Sequence, residues 1–75
     1  MTTTTQATTF KITFVPTLER AAEAVVRAGG KGTSDEIREH TDAARSKHRV
    51  AATRVGIFIA DMWANGMRVE SFESL

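Results

Sequence analysis

The sequence contains no cysteine, and for so short a chain this absence is the strongest constraint on the fold. A chain of 75 residues buries only about 60% of the surface that it exposes when unfolded, so its core is thin. Small domains usually supplement such a core with disulfides, a structural metal or a second copy of themselves. The composition rules out disulfides, and two histidines are too few for an ordinary zinc site. The sequence therefore predicts one domain that depends on tight packing or on self-association.

The N-terminal segment is typical of a protein that is not exported. Residues 1–8 are rich in threonine and are expected to form a disordered leader, followed by a single domain over 9–75. The leader lacks the apolar stretch of a signal peptide. The longest purely apolar run, residues 57–60, is too short to span a bilayer. We therefore expect a cytoplasmic protein with no membrane partner.

Hydrophobic periodicity predicts one strand and two short helices in the first half of the chain. Residues 9–15 alternate apolar and polar side chains, which predicts a half-buried strand ended by Pro16. Apolar residues then recur at helical spacing through 18–26, which predicts a first helix ended by Gly29-Gly30. The capping-box sequence TSDE predicts a second, short helix over about 33–40, because its hydroxyl and carboxylate satisfy free amides at a helix start.

The second half of the chain is expected to hold the main helix. A stripe of apolar residues at helical spacing predicts a third helix over about 43–64, ended by Asn65-Gly66. Because the early half of the stripe is rich in alanine and adds little burial, a kink or break near 50–54 is an open alternative. Residues 67–69 alternate again and predict a second strand. With one strand near each end of the chain, antiparallel pairing is the simplest arrangement. The predicted fold class is mainly α, with three helices and a small two-stranded antiparallel ribbon.

Positive charge is local, although the formal net charge is only +1. No acidic residue lies between residues 43 and 60, and this stretch carries five basic or titratable side chains: Arg45, Lys47, His48, Arg49 and Arg54. On one continuous helix, these side chains would flank the buried stripe and reach phosphates on either side. A local basic patch is the electrostatic signature of a polyanionic partner. A helical face that is merely solvated remains the alternative.

Two segments resemble parts of a winged helix-turn-helix domain. Lys31-Gly32-Thr33-Ser34-Asp35-Glu36-Ile37 looks like the start of the second helix of that family. Val55, Ile59 and Met62, followed by Ala64-Asn65-Gly66-Met67-Arg68-Val69-Glu70, resemble the end of its recognition helix and the entry into its wing. The resemblance covers residues 17–70 loosely and implies a winged-helix-like domain.

The resemblance also implies a partner, double-stranded DNA. In that family the third helix lies in the major groove and the wing touches the DNA backbone. Carried over to this sequence, the implied DNA-binding residues are Arg45, Lys47, His48, Arg49 and Arg54 from the helix and Arg68 from the wing. The leading hypothesis is thus a small DNA-binding protein, a transcriptional regulator of phage or mobile-element type.

A second hypothesis is a protein-interaction module, such as an inhibitor or adaptor that docks on a host protein. Four apolar residues are expected to point away from the core and to form its interface: Val50, Ile57, Trp63 and Phe72. The same exposed surface would serve equally for a homodimer. Substitution of Trp63 would distinguish this hypothesis from DNA binding.

The sequence gives no sign of an enzyme. No serine or threonine is accompanied by a recognisable base and orienting group, and so thin a fold has little room for a pocket. The segment Gly29-Gly30-Lys31-Gly32-Thr33 superficially resembles a phosphate-binding loop, but it lacks the required spacing and follows a helix. No catalytic residue, cofactor or metal is therefore predicted.

Overall fold

A computed structural model describes residues 8–75 of the chain. Residues 1–7, nearly all of the predicted leader, lie outside the described residues. The elements follow one another as β1 (Thr9–Pro16), α1 (Leu18–Arg27), α2 (Ser34–Ala43), β2 (Ser46–Ala51), a 3-10 turn (Ala52–Arg54), α3 (Val55–Ala64) and β3 (Met67–Ser74).

The three strands form one antiparallel sheet in the order β2-β1-β3, so the first strand of the chain is the central one. Phe10 of β1 lies opposite Val50 of β2, and Ile12 lies opposite Phe72 of β3. A shift in register between Thr13 and Phe14 marks a bulge in the pairing with β3. The antiparallel pairing of β1 with β3 agrees with the alternation found near the two ends of the chain.

The predicted fold class, mainly α with three helices and a two-stranded antiparallel ribbon, is wrong. Strand accounts for 32% and helix for 49% of the described structure, and the sheet has three strands. The error lies in residues 43–64, which were assigned to one helix. Instead α2 ends at Ala43, Ser46–Ala51 form the edge strand β2, and α3 begins at Val55. Alanine-rich segments favour this error, because small side chains show neither the 3.6-residue period of a helix nor the two-residue period of a strand.

The main core lies between α3 and one face of the sheet. Alternate residues of a strand point to the same face, and Ile12, Phe14 and Val50 share the face toward α3. Ile12 and Phe14 are fully buried and Val50 is 6% exposed. Around these three lie partly buried side chains from α3 and the strands: Phe10, Val55, Phe58, Ile59, Met62, Met67 and Val69.

The opposite face of the sheet is covered at one end by α1 and α2, which contact each other and β1. Val15 and Thr13 point to this face and are buried, as are Ala21 and Val25 of α1. The Thr17 hydroxyl caps α1 by accepting a hydrogen bond from the Arg20 amide. The charged side chains of this face are distributed along it: Lys11 and Arg49 lie toward the Thr9 end of β1, whereas Lys47 and Arg68 lie on the edge strands beside the covered end.

Candidate nucleic-acid interface

The strand β2 places Lys47 and Arg49 on the face of the sheet that points away from α3. In the antiparallel register Arg49 lies directly opposite Lys11, and Lys47 lies directly opposite Thr13. Directly paired residues of a sheet project to the same face. Arg68 of β3 lies opposite Val15 and therefore projects to that face as well. We call Lys11, Lys47, Arg49 and Arg68 the cationic face.

The pairing of Lys11 with Arg49 is unusual, because like charges directly opposite each other destabilise a sheet. Glu73 of β3 is the other cross-strand neighbour of Lys11. No ion pair within 4.0 Å joins any residue of the cationic face to a carboxylate in the part of the chain that the structure describes. Lys47, Arg49 and Arg68 are exposed, while Lys11 is half-buried. Arg68 and Lys47 also lie close enough to Glu70 to lower the pKa of its carboxyl. None of the four cations is held in an ion pair within the described chain, so they can still meet an external anion.

Arg45, one of the predicted DNA-binding residues, is occupied within the protein. Its Nε and Nη2 atoms donate hydrogen bonds of 2.6 Å and 2.7 Å to the two carboxylate oxygens of Glu70. A second carboxylate, that of Asp42, lies 3.2 Å away. Hydrogen bonding to Glu70 raises the pKa of Arg45 and lowers the pKa of Glu70. Arg45 is thus neutralised locally and does not belong to the cationic face.

Two other predicted DNA-binding residues lie on the opposite side of the sheet. His48 points toward α3, where its ring lies 5.7 Å from that of Phe14 and 5.1 Å from that of Phe58, measured between centroids. Its Nε2 atom is 3.0 Å from the Ser46 hydroxyl. Arg54 lies in the turn before α3, beside the outer side of that helix. The structure therefore brings together Lys47, Arg49 and Arg68 of the six predicted residues.

The sequence interpretation missed Lys11, which completes the cationic face. The alternation of residues 9–15 contained the necessary signal, since Lys11 falls between Phe10 and Ile12 and must point away from the core. What the sequence did not provide was the register that sets Lys11 beside Arg49.

The residues predicted to form a protein interface also divide into two groups. Val50 is buried in the main core, so the prediction that it is exposed is wrong. Ile57 and Trp63 of α3 are 71% and 64% exposed, in agreement with the prediction. Phe72 is partly exposed, and its ring packs against that of Phe10 at a centroid distance of 4.7 Å. Of the four predicted interface residues, the two most exposed are therefore on α3, while α1 also exposes large apolar side chains at Leu18 and Val26.

All five aromatic side chains of the sequence lie away from the cationic face. Phe10, Phe14 and Phe72 occupy sheet positions that face α3, and Phe58 and Trp63 belong to α3 itself. Proteins that bind single-stranded nucleic acid usually stack bases on aromatic rings. The cationic face has no such ring with which to stack a base.

Comparison of the chain with protein-family models, with curated proteins and with solved structures finds no match. Across residues 8–75, no helix is both long enough and apolar enough to cross a bilayer. The protein thus presents two candidate binding surfaces, the cationic face of the sheet and the exposed side of α3.

Proposed function

We propose that the protein binds double-stranded DNA through the cationic face of its sheet. The observation that carries this proposal is the placement of Lys11 directly opposite Arg49 on a surface that faces solvent. Such a pair lowers stability in the free protein and becomes favourable when an anion lies across both charges. Lys47 and Arg68 on the same face extend the positive surface along and across the strands.

The dimensions of the sheet suit a DNA groove. Neighbouring strands lie about 4.8 Å apart, so three strands span about 10 Å. The major groove of B-form DNA is about 12 Å wide, and known DNA-binding folds insert β-ribbons or sheets into it. The exposed cations of the edge strands, Lys47 and Arg49 on β2 and Arg68 on β3, would then meet the phosphates that border the groove.

The chemistry of the face favours a duplex over a single strand. Contacts from lysine and arginine to phosphate need no unstacked base, whereas single-strand binding relies on aromatic stacking. The aromatic rings of this protein face α3 or lie on it, on the far side of the sheet. Binding is therefore expected to depend mainly on phosphate contacts and to show little sequence preference.

A salt titration of DNA binding tests the proposal. Four phosphate contacts predict that log K falls with log salt with a slope of about −3.6. Each of the variants K47Q and R49Q should weaken binding and make the slope shallower by about 0.9. The matched control R38Q removes the same charge from α2, where Arg38 is 72% exposed, and should leave the slope unchanged.

Two results would contradict this function. The first is an absence of duplex binding at about 50 mM salt, where electrostatic attraction is strong. The second is an equal loss of affinity in R38Q and R49Q, which would show dependence on net charge and not on the cationic face. Circular dichroism of each variant confirms that the fold persists.

The alternative function, a protein-interaction module, is supported by the exposure of Ile57 and Trp63 on α3. The two functions are centred on different surfaces, although Arg49 of the cationic face also lines the groove beside α3. Substitutions at Lys47 and at Trp63 therefore separate them most cleanly. If the protein binds DNA as proposed, W63A leaves duplex affinity at dilute protein concentration unchanged. Loss of a protein partner in W63A, together with no salt-dependent DNA binding, would favour the alternative.

A further inference from the structure

We propose that the exposed side of α3 is a dimer interface at which two copies of this chain pack their α3 helices antiparallel. The proposal does not rest on DNA binding. We call this surface the outer face of α3. It consists of three rows of residues at helical spacing. The central stripe is Ile57, Ala60 and Ala64. The charged flank is Arg54 and Asp61, and the aromatic flank is Gly56 and Trp63.

The outer face is apolar and lacks a cover within the described chain. The inner side of α3 packs on the sheet through partly buried residues, among them Phe58 and Met62. No residue of the helix is fully buried, and Ile57 and Trp63 are 71% and 64% exposed. A helix that is apolar around most of its circumference is normally enclosed by other elements. No element of residues 8–75 provides such a cover for the outer face.

The charged flank identifies a second copy as the cover. Arg54, Ile57 and Asp61 line one groove between α3 and the edge strand β2, and Arg49 of β2 lines its opposite wall. In the described part of the chain, neither Arg54 nor Asp61 forms an ion pair within 4.0 Å. The two charges are opposite in sign and about 10 Å apart along the helix axis. A two-fold axis between Ile57 and Ala60 would bring Arg54 to the partner's Asp61, and Asp61 to the partner's Arg54.

The order of the charges also selects the antiparallel orientation. When two helices pack antiparallel, equivalent flanks face each other, so the charged flank meets the charged flank of the second copy. In a parallel pair the charged flank would face the aromatic flank, and Arg54 and Asp61 would remain without partners. A two-fold interface must be self-complementary, and this flank satisfies that condition.

Small residues on the outer face permit the close approach that such a dimer needs. No atom lies within 4 Å of the position that a Cβ at Gly56 would take. With the two-fold axis between Ile57 and Ala60, the indole of the partner's Trp63 would cover Gly56. Ala60 would meet the partner's Ile57, so a large side chain faces a small one throughout the stripe. Trp63 and Ile57 thereby become the central apolar contacts.

The interface is small, so the dimer is expected to be weak. Two helices of ten residues bury less than the roughly 1,200 Å² that stable complexes usually require. We therefore expect dissociation in the micromolar range or above. Analytical ultracentrifugation from about 5 µM to 1 mM measures this equilibrium. Trp63 is the single tryptophan of the sequence, so its emission should shift to the blue over the same range as the helix face becomes covered.

Charge reversal gives the decisive experiment. R54E and D61R each place like charges together at both ends of an antiparallel pair, and each should raise the Kd by about tenfold or more. The double variant R54E/D61R restores both opposite-charge contacts and should recover the wild-type Kd. An equimolar mixture of the two single variants should also dimerise, because each variant then supplies the charge that the other needs.

The control R38E reverses an exposed charge on α2 and should leave the Kd unchanged, and I57S should weaken the dimer without loss of helix content. A wild-type chain that stays monomeric at 1 mM with unshifted Trp63 emission overturns the proposal and leaves the outer face to a different protein. Dimerisation that R54E and D61R do not affect also overturns it. Equal weakening by R38E would do the same, because net charge alone would then explain the effect.

Discussion

Arg45 and Glu70 form a bidentate ion pair that joins the two edge strands of the sheet across its central strand. Arg45 comes immediately before β2 and Glu70 lies in β3, and both guanidinium contacts are shorter than 2.8 Å. The fork geometry of arginine matches a carboxylate with two parallel hydrogen bonds. Between the two edge strands lies β1, whose Thr13 is 5% exposed. The ion pair therefore holds together segments that are distant in sequence.

Replacement of Glu70 should change how stability depends on pH. Hydrogen bonds from Arg45 lower the pKa of the Glu70 carboxyl from its ordinary value of 4.5, and the positive charges of Arg68 and Lys47 add smaller effects in the same direction. Because the pKa is lower in the folded protein, the stabilisation is present above about pH 4.5 and is lost as the pH falls through the folded-state pKa. Urea unfolding at pH 7 should therefore show E70Q to be less stable than the wild type.

The same comparison at pH 3 or below should show a smaller difference between E70Q and the wild type. E73Q is the matched control, since Glu73 forms no ion pair within 4.0 Å in the described part of the chain. A difference between E70Q and the wild type that is constant from pH 7 to pH 2 would show that the ion pair does not stabilise the fold.

Truncation of Phe14 should remove a large part of the stability of the domain. Its fully buried ring packs edge-on against Phe58 at a centroid distance of 5.6 Å. Loss of a buried phenylalanine side chain costs about 3–5 kcal/mol, whereas a domain of this size has a free energy of unfolding of about 4–11 kcal/mol. F14A should thus unfold at a much lower urea concentration than the wild type, while F14L loses less. F72A removes a ring that is 46% exposed and should cost much less than F14A.

Removal of the Thr33 side chain should destabilise α2. The Thr33 hydroxyl accepts a hydrogen bond of 3.3 Å from the Glu36 amide, and the Glu36 carboxylate accepts one of 2.9 Å from the Thr33 amide. T33A removes the first contact and should lower the free energy of unfolding by about 1 kcal/mol. T33S keeps the hydroxyl and should lose little. Equal stability of T33A and T33S in urea unfolding would contradict the capping role.

Neutralisation of Arg49 should stabilise the free protein. Arg49 lies directly opposite Lys11, and relief of like charges in a sheet contributes about 0.2–1 kcal/mol. R49Q should therefore be slightly more stable than the wild type at low salt. In about 1 M salt the difference should vanish, because screening removes the repulsion. If R49Q is less stable than the wild type at low salt, the Lys11–Arg49 repulsion is not a significant cost.

The elements that a local pattern defines could be predicted from the sequence. Alternation located β1, helical spacing and Gly29-Gly30 located α1, and the capping box located the start of α2. The strand β2 could not be predicted in this way, because its only buried residue is Val50. Its strand conformation comes from pairing with β1, a tertiary contact that overrides the weak local preference.

For the candidate site too, the composition could be read from the sequence, whereas the geometry depends on tertiary contacts. The number of basic residues between 45 and 54 is visible in the sequence. Their predicted arrangement requires a helix over these residues, and the structure has a strand and a turn there instead. A strand sends neighbouring residues to opposite faces, so it separates His48 from Lys47 and Arg49. The ion pair between Arg45 and Glu70 connects residues 25 positions apart, which no local pattern reveals.

The central position of β1 has a consequence for how the chain folds during synthesis. This strand leaves the ribosome first, yet β2 and β3, its partners on either side, are made much later. Until then the aromatic and β-branched side chains of β1 have no sheet to join. Pairing over such long sequence separation is slow, and an apolar strand left exposed in the meantime is prone to aggregate. We therefore expect the sheet to be completed only after β3 has emerged, and expression of the protein to benefit from chaperones.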